Sequence, residues 1–406
     1  MTGVELVTPA RIAAAERALA PVIRRTPMLE SRVLSERTGH EVRLKCENLQ
    51  HTGSFKPRGA YNRMVQLTPE ELRAGVVAAS AGNHAQGVAW AARQLGVAAT
   101  VFMPVGASLP KLVATRAYGA TVHLRGNTVD EALSAAEEFA AETGSVLIHP
   151  FDHVDVVAGQ ATVGLEILDQ FPDVGTVLVP TGGGGLIAGV AAAIRAERPG
   201  VRVVGVQAAQ AAAWPASLAA GEPAAAESMS TMADGIAVGL PGRVPFAHVV
   251  EQVDDILTVS EDALSHALLL CMERAKVIVE PAGAAAVAAL TDSTPHLDGP
   301  VCAILSGGNI DPLLLTHVIT HGLRASGRYL AVRVRIPDRP GGLAGLLTVV
   351  GATGASVVDV VHARTADDLG LDEVEVLLTV ETRGPRHRDE VLGAVDDAGF
   401  PVRVQR

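Results

Sequence analysis

Thr52-Gly53-Ser54-Phe55-Lys56-Pro57-Arg58-Gly59-Ala60 places one lysine at the entry to a helix. Pro57 suits the first helical position, where a backbone N–H would have no intrahelical partner. Ser54 is a natural N-cap. Ala60 to Val65 contains no breaker and reads as helix. Lys56 therefore falls at the positive end of a helix dipole, a field that disfavours the ammonium and favours the neutral amine. A neutral lysine amine is what Schiff-base chemistry requires. Taken alone, these nine residues read equally well as a surface lysine in a loop, so the rest of the chain decides.

Outward from this loop, strand and helix alternate. Glu41–Cys46, 75–79, 98–103, Thr121–Leu124 and 145–149 read as strands, with Ala-rich helices between them. A second set follows: a helix over 159–171, a strand over 176–179, a helix up to Arg198 and strands over 201–206, 256–259 and 301–305. This is the pattern of parallel α/β layers. Residues 208–245 are rich in Ala, Gly and Pro and give no clear pattern. Around 321–328 the composition turns polar, as in a linker. Beyond it the order strand, helix, strand, strand, helix, strand predicts a small ferredoxin-like unit.

The bulk composition agrees. A chain of 406 residues exceeds one ordinary domain. It is 48% hydrophobic but only 3% aromatic, so its core is built from Ala, Val, Leu and Ile, as in helix-covered parallel sheets. A net charge of −11 argues against nonspecific nucleic-acid binding. Three scattered cysteines fit a reduced, cytoplasmic setting. The first 20 residues lack the apolar block of a signal peptide. The longest uncharged stretch, Thr176 to Ile194, carries a proline and four glycines and is no membrane span.

Four loops follow strands, where doubly wound sheets bind ligands. Gly182-Gly183-Gly184-Gly185-Leu186 offers unobstructed N–H groups at a helix start, an anion site most plausibly for phosphate. No Lys-Ser or Lys-Thr follows, so it is not a P-loop. Gly183, Gly185 and Ala188 match a dinucleotide fingerprint loosely, but Gln207 stands where that site needs an acid. Ser80-Ala81-Gly82-Asn83-His84 forms a second helix start suited to a carboxylate, with Asn83 able to bond a ring oxygen. Ser306 could offer a hydroxyl, and Glu280 reads as a helix cap. His149 and His153 cannot share a helical face across Pro150, and no metal site is expected.

Taken together, these motifs resemble the threonine dehydratases (threonine ammonia-lyases) among fold-type II pyridoxal-phosphate enzymes, the tryptophan synthase β-like class. The resemblance covers nearly all of 5–325. Asp338 to Leu343 and the pattern around it resemble an ACT regulatory domain. The resemblance implies a large cofactor-binding subdomain (1–53 and 153–322), a small subdomain (54–152), a linker (323–328) and a βαββαβ ACT domain (329–406). It implies that Lys56 holds pyridoxal phosphate and acts as general base, with Phe55 beside the ring and Asn83 on its hydroxyl. The amides of Gly182, Gly183, Gly184, Gly185 and Leu186 would take the phosphate, and Ser306 would face the pyridine nitrogen. Ser80, Ala81, Gly82 and His84 would surround the substrate carboxylate. Serine racemases of this class carry a serine where this chain has Ala81, and carboxylates where it has Gln207 to Ala213, so neither racemisation nor their metal site is expected.

The expected reaction is L-threonine to 2-oxobutanoate and ammonia, with L-serine giving pyruvate. An L-serine or threo-3-hydroxyaspartate dehydratase of the same fold is the alternative. A nicotinamide oxidoreductase and a noncatalytic amino-acid sensor are the readings from other classes. The ACT resemblance implies edge-to-edge pairing, in a dimer or tetramer, and an amino-acid effector, isoleucine or valine. Asp338, Pro340, Gly341, Leu343, Ser356 and Asp359 would line that site. Isoleucine is the first expectation, because 2-oxobutanoate feeds its synthesis. No nucleic-acid or membrane partner is expected.

Overall fold

The computed structural model describes residues 4–292, 296–364, 369–370 and 372–405. The chain forms two compact units, 1–315 and 316–406. In the first, α1 (Pro9–Leu19), β1 (Met28–Glu30), α2 (Arg32–Thr38) and β2 (Val42–Lys45) lead into α3 (Lys56–Met64). Next come α4 (Pro69–Ala74), β3 (Val76–Ala79), α5 (Asn83–Leu95), β4 (Ala99–Met103), α6 (Leu109–Ala117), β5 (Thr121–Leu124), α7 (Val129–Thr143) and β6 (Val146–Leu147). The chain continues through α8 (Val154–Gln170), β7 (Thr176–Pro180), α9 (Gly185–Glu197), β8 (Arg202–Ala208), α10 (Trp214–Ala220) and α11 (Arg243–Gln252). It then passes through β9 (Asp255–Val259), α12 (Glu261–Leu270), α13 (Pro281–Asp292) and β10 (Val301–Ile304).

These strands make two sheets. One has the order β1-β2-β10-β7-β8-β9, parallel except for the edge strand β1. The other, β5-β4-β3-β6, is wholly parallel. Every residue of β3, β7 and β10 is buried. Such strands must be apolar throughout because both faces are covered by helices. β10 inserts between β2 and β7, which brings the loops after those three strands to one end of the sheet.

In the second unit, α14 (Pro312–Ala325), which starts in the first, leads to β11 (Tyr329–Pro337), α15 (Gly342–Ala352), β12 (Ser356–Ala363), β13 (Glu373–Glu381), α16 (Pro385–Asp397) and β14 (Val402–Val404). The sheet is antiparallel with order β12-β13-β11-β14, the expected ferredoxin-like arrangement. It has its own core, from Leu330, Val334, Leu346, Val376, Leu378 and Val391 among others.

Two local expectations are corrected, and one stretch without a readable pattern is filled in. Ser54 does not cap α3. It is extended and bridges Gly307, while Phe55 is the N-cap and Lys56 the first helical residue. The cause lies upstream: Thr52 (φ 62°) and Gly53 (φ 73°) both adopt left-handed conformations and turn the chain alongside Ser306 and Gly307. The first half of 323–328 is helix, because α14 runs to Ala325 on a Leu/Val/Ile pattern that its polar C-terminal end obscures, and a turn follows at 326–328. The unreadable 208–245 segment contains α10 and the start of α11, with two short 3-10 turns. No helix among the described residues is long and apolar enough to cross a membrane.

Candidate active site

Lys56 sits at the first position of α3 with its Nζ donating to the Pro150 carbonyl at 3.0 Å. Its ammonium lies 5.1 Å from the centre of the Phe55 ring. Burial lowers its pKa to about 8, the Glu280 carboxylate opposing that shift. Desolvation rather than the helix dipole is therefore the leading cause. Gly87 of α5 lets that helix pack on Lys56, since a Cβ there would stand 3.0 Å from the lysine Cβ.

The helix carrying the lysine is anchored by buried charge. Arg58 donates from Nε and one Nη to the two oxygens of Glu47, both at 2.8 Å, and from the other Nη to Glu166 at 2.7 Å. Lys45 adds a 2.5 Å pair with Glu166. Arg58, Glu47 and Lys45 are almost wholly buried, and pairing is what makes such burial tolerable. Burial pushes the Glu47 carboxyl up, but the Arg58 guanidinium, the Lys45 ammonium and the Thr26 hydroxyl together hold it below its ordinary range.

The loop from His149 to His153 connects Lys56 to the glycine run. Pro150 accepts from Lys56, and the Phe151 ring packs where a Cβ on Gly183 would have to go. Gly184 (φ 97°) faces Trp214, and a side chain there would also meet Pro245 Cβ at 2.7 Å. The Trp214 indole donates to the Gly182 carbonyl at 2.7 Å, fixing the loop from behind. Gly184 is the N-cap of α9, and the 2.9 Å bond from Ala188 N to Gly184 O opens its ladder. The first-turn amides of Gly185 and Leu186 thus have no intrahelical acceptor.

Ser306 and Gly307 follow β10 and lie beside the Lys56 loop, with Phe55 N donating to Ser306 O at 3.2 Å. Asn83 opens α5. Its Nδ2 donates to Glu280 Oε1 at 2.5 Å, and its Oδ1 accepts from Asn309 Nδ2 at 2.8 Å. Asn309 Nδ2 also donates to the Thr52 carbonyl at 2.5 Å. Ser80 Oγ accepts from Gly82 N at 3.1 Å, bending the loop in which Ala81 lies. His84 is buried, with Nε2 2.7 Å from the Ile148 carbonyl. Burial and the nearby Lys56 charge push its pKa down to about 3, so the ring is neutral and Nε2 carries the proton. His149, lowered to about 4 mainly by burial, accepts from the amides of Phe151 and Asp152 through Nδ1.

Glu280 is more than the helix cap its sequence position suggests. It is buried against Asn83, and burial raises its pKa to about 7, with Asp234 adding to the shift and Lys111 opposing it. Lys111 pairs with Asp234 at 2.6 Å beside the Ser80–His84 loop, and 3.5 Å separates its Nζ from where a Gly82 Cβ would lie. Neither Lys111 nor Asp234 carries a motif, so only the fold brings them to the cleft. The Pro150–Phe151 link was equally invisible, although the prolyl break at 150 marked a loop.

The residues expected to bind an effector lie in the second unit. Asp338 accepts from Arg364 at 3.1 Å, and Gly341 (φ 91°) is the N-cap of α15 after Pro340, with Leu343 in its first turn. Ser356 and Asp359 are exposed on the edge strand β12, either side of an irregularity in its pairing with β13.

A fold of two parallel sheets with a partly neutral lysine beside a glycine cradle defines a class of Schiff-base enzymes that hold a phosphorylated aldehyde. Residues 19–307 match the family model of pyridoxal-phosphate dependent enzymes, and the chain belongs to that family. It is 45% identical over 399 residues to an L-threonine ammonia-lyase of Thermotoga maritima, covering 98% of this chain and 100% of that one. It is 44% identical over 323 residues to the catabolic L-threonine dehydratase TdcB of Staphylococcus aureus, covering 78% and 93% respectively. A crystal structure of a T.th. threonine deaminase superposes with a TM-score of 0.71 at 44% identity, covering 75% of this chain and 99% of that one. A maize serine racemase superposes at 0.74 with 34% identity, covering 79% and 99%. The residues present fit the family's cofactor. Side chains on Gly183 and Gly184 would collide with Phe151 and Trp214, so the cradle stays bare backbone, and burial brings the Lys56 pKa down to about 8, which eases the loss of its proton.

Proposed function

We propose that this chain is a threonine dehydratase, converting L-threonine to 2-oxobutanoate and ammonia and L-serine to pyruvate. The observation that carries this reading is Lys56, with its lowered pKa, linked through Pro150 and Phe151 to the glycine cradle. The names of its relatives supply the substrate. In this reading Lys56 holds pyridoxal phosphate, Phe55 flanks the ring and Asn83 bonds its hydroxyl. Gly182 to Leu186 bind the phosphate and Ser306 faces the ring nitrogen. Bound there, the cofactor supplies an electron sink for a carbanion at the substrate α-carbon. The Lys56 amine takes the α-proton. Ser80, Ala81, Gly82 and His84 surround the substrate carboxylate, and the first-turn amides of α5, which have no intrahelical acceptor, contribute backbone N–H groups. Ala81 has no proton to give, so a second acid/base on that side is missing and racemisation is disfavoured.

The two sheets of the first unit support a large part, read as 1–53 and 153–322 and so reaching into α14 beyond that unit, and a small one (54–152). The ferredoxin-like unit is read as an ACT domain that pairs with its counterpart in a dimer or tetramer and binds isoleucine or valine. The experiment is release of 2-oxo acid from L-threonine and from L-serine by enzyme supplied with pyridoxal phosphate. Turnover of threonine supports the proposal. Turnover of serine alone makes the chain a serine dehydratase, and none from either contradicts the reaction assigned.

A further inference from the structure

The polar chain behind Asn83 runs from Glu280 through Asn83 and Asn309 to the Thr52 carbonyl. A carboxamide can face either way round, and only its partners decide which end presents donors. Here the decision begins at an atom with no choice. The Thr52 carbonyl can only accept, so the end of Asn309 that meets it is the NH2. That NH2 also meets Asn83, so the Asn83 atom facing it must be the oxygen. The Asn83 NH2 is then turned to Glu280, whose carboxylate accepts one of its two hydrogens.

The surroundings are shaped around this chain. Thr52 holds a left-handed conformation although β-branched, which sets the direction of its carbonyl. A Cβ on Gly53 would stand 2.5 Å from Asn309 Oδ1, and one on Gly307 would strike Glu280 and stand 3.1 Å from Asn83 Nδ2. Glu280 is 3% exposed and Thr52 8%, so water does not substitute for these partners freely.

We propose that Asn309 and Glu280 are positioning residues that lock the Asn83 carboxamide with its oxygen turned to Asn309 and one N–H left for the cofactor. The lock lets Asn83 meet the ring hydroxyl as a donor only. The proposal rests on the assignment of Asn83 to the cofactor made above, and it adds residues that act through Asn83.

The test is a double-mutant cycle read by pyridoxal-phosphate affinity and by the visible absorbance of the bound cofactor, not by turnover. Asn309→Asp presents only acceptors to Thr52 and Asn83 and should weaken cofactor binding about tenfold, the scale of one charge-assisted hydrogen bond lost. Asn309→Ser, which removes the donor without adding charge, should weaken it less. In an Asn83→Ala background neither change should weaken binding further, because the effect travels through Asn83. Glu280→Gln, which still accepts through its amide oxygen, should bind nearly as wild type, and Glu280→Leu should not. Losses that add to that of Asn83→Ala would overturn the lock while leaving Asn83 on the cofactor. An Asn83→Ala protein with unchanged affinity and spectrum would overturn both, and threonine turnover could still stand.

Discussion

Lys56 shows how burial sets chemistry at a single residue. Burial lowers its pKa from the usual lysine range to about 8, and Glu280 partly restores the charge. The sign gives a prediction. Capture of pyridoxal phosphate by the apoenzyme needs the neutral amine, so its rate should rise with pH around a midpoint near 8. An ordinary lysine would place that midpoint at about 10.4. Glu280 is itself pushed up to about 7, so its carboxylate raises the Lys56 pKa chiefly above that pH. Glu280→Gln should therefore move the midpoint downward. Stopped-flow absorbance across pH 6–11 decides it, and an upward shift in the variant would contradict the assignment. Little of this was legible in the sequence. The motif located Lys56, but the dipole argument gave the right direction for a secondary reason, since desolvation depends on neighbours such as Pro150 that are far away in the chain.

At the scale of elements, the glycine loop was legible because its requirement is local. Four consecutive glycines before an apolar helix mean exposed amides, and that is where α9 begins. What the sequence could not say is why each glycine is needed. Gly184 has φ 97° and lies against Trp214 and Pro245, residues from the stretch that gave no pattern. Gly184→Ala should therefore strain the backbone and displace Trp214, weakening cofactor binding while the far-UV circular dichroism stays native. A variant with wild-type affinity would show that the loop does not hold the phosphate in this conformation. The strands were equally readable, since a buried parallel strand is apolar on both faces. The entry to α3 was misread because the decisive feature is the left-handed pair Thr52–Gly53, and a threonine gives no warning of positive φ. The Arg58–Glu47–Glu166–Lys45 cluster was silent for another reason, as charged residues are ordinarily read as surface.

At the scale of the whole molecule, the chain divides into a unit containing the cleft and a unit with its own sheet and core. The change of pattern after residue 328 marks the start of the second sheet at β11, because strict alternation belongs to a sheet with one covered face, whereas the units themselves meet earlier, at 315/316. The helix α14 did not stand out, and it carries the chain from one unit to the next. A protein ending at Arg328 retains that helix and every residue of the cleft. It should keep threonine turnover and lose any response to isoleucine or valine, measured as initial rates with and without each amino acid. Inhibition that persists after truncation would place the effector site in the first unit.

The measurement that bears most directly on the central claim is 2-oxobutanoate release from L-threonine by the wild-type chain and by Lys56→Ala, each supplied with pyridoxal phosphate. The wild type should turn over threonine and develop the violet-region absorbance of cofactor joined to lysine. The variant should lose both. Threonine turnover that survives in Lys56→Ala would contradict the account, since no other residue of the cleft is assigned the amine that the reaction requires.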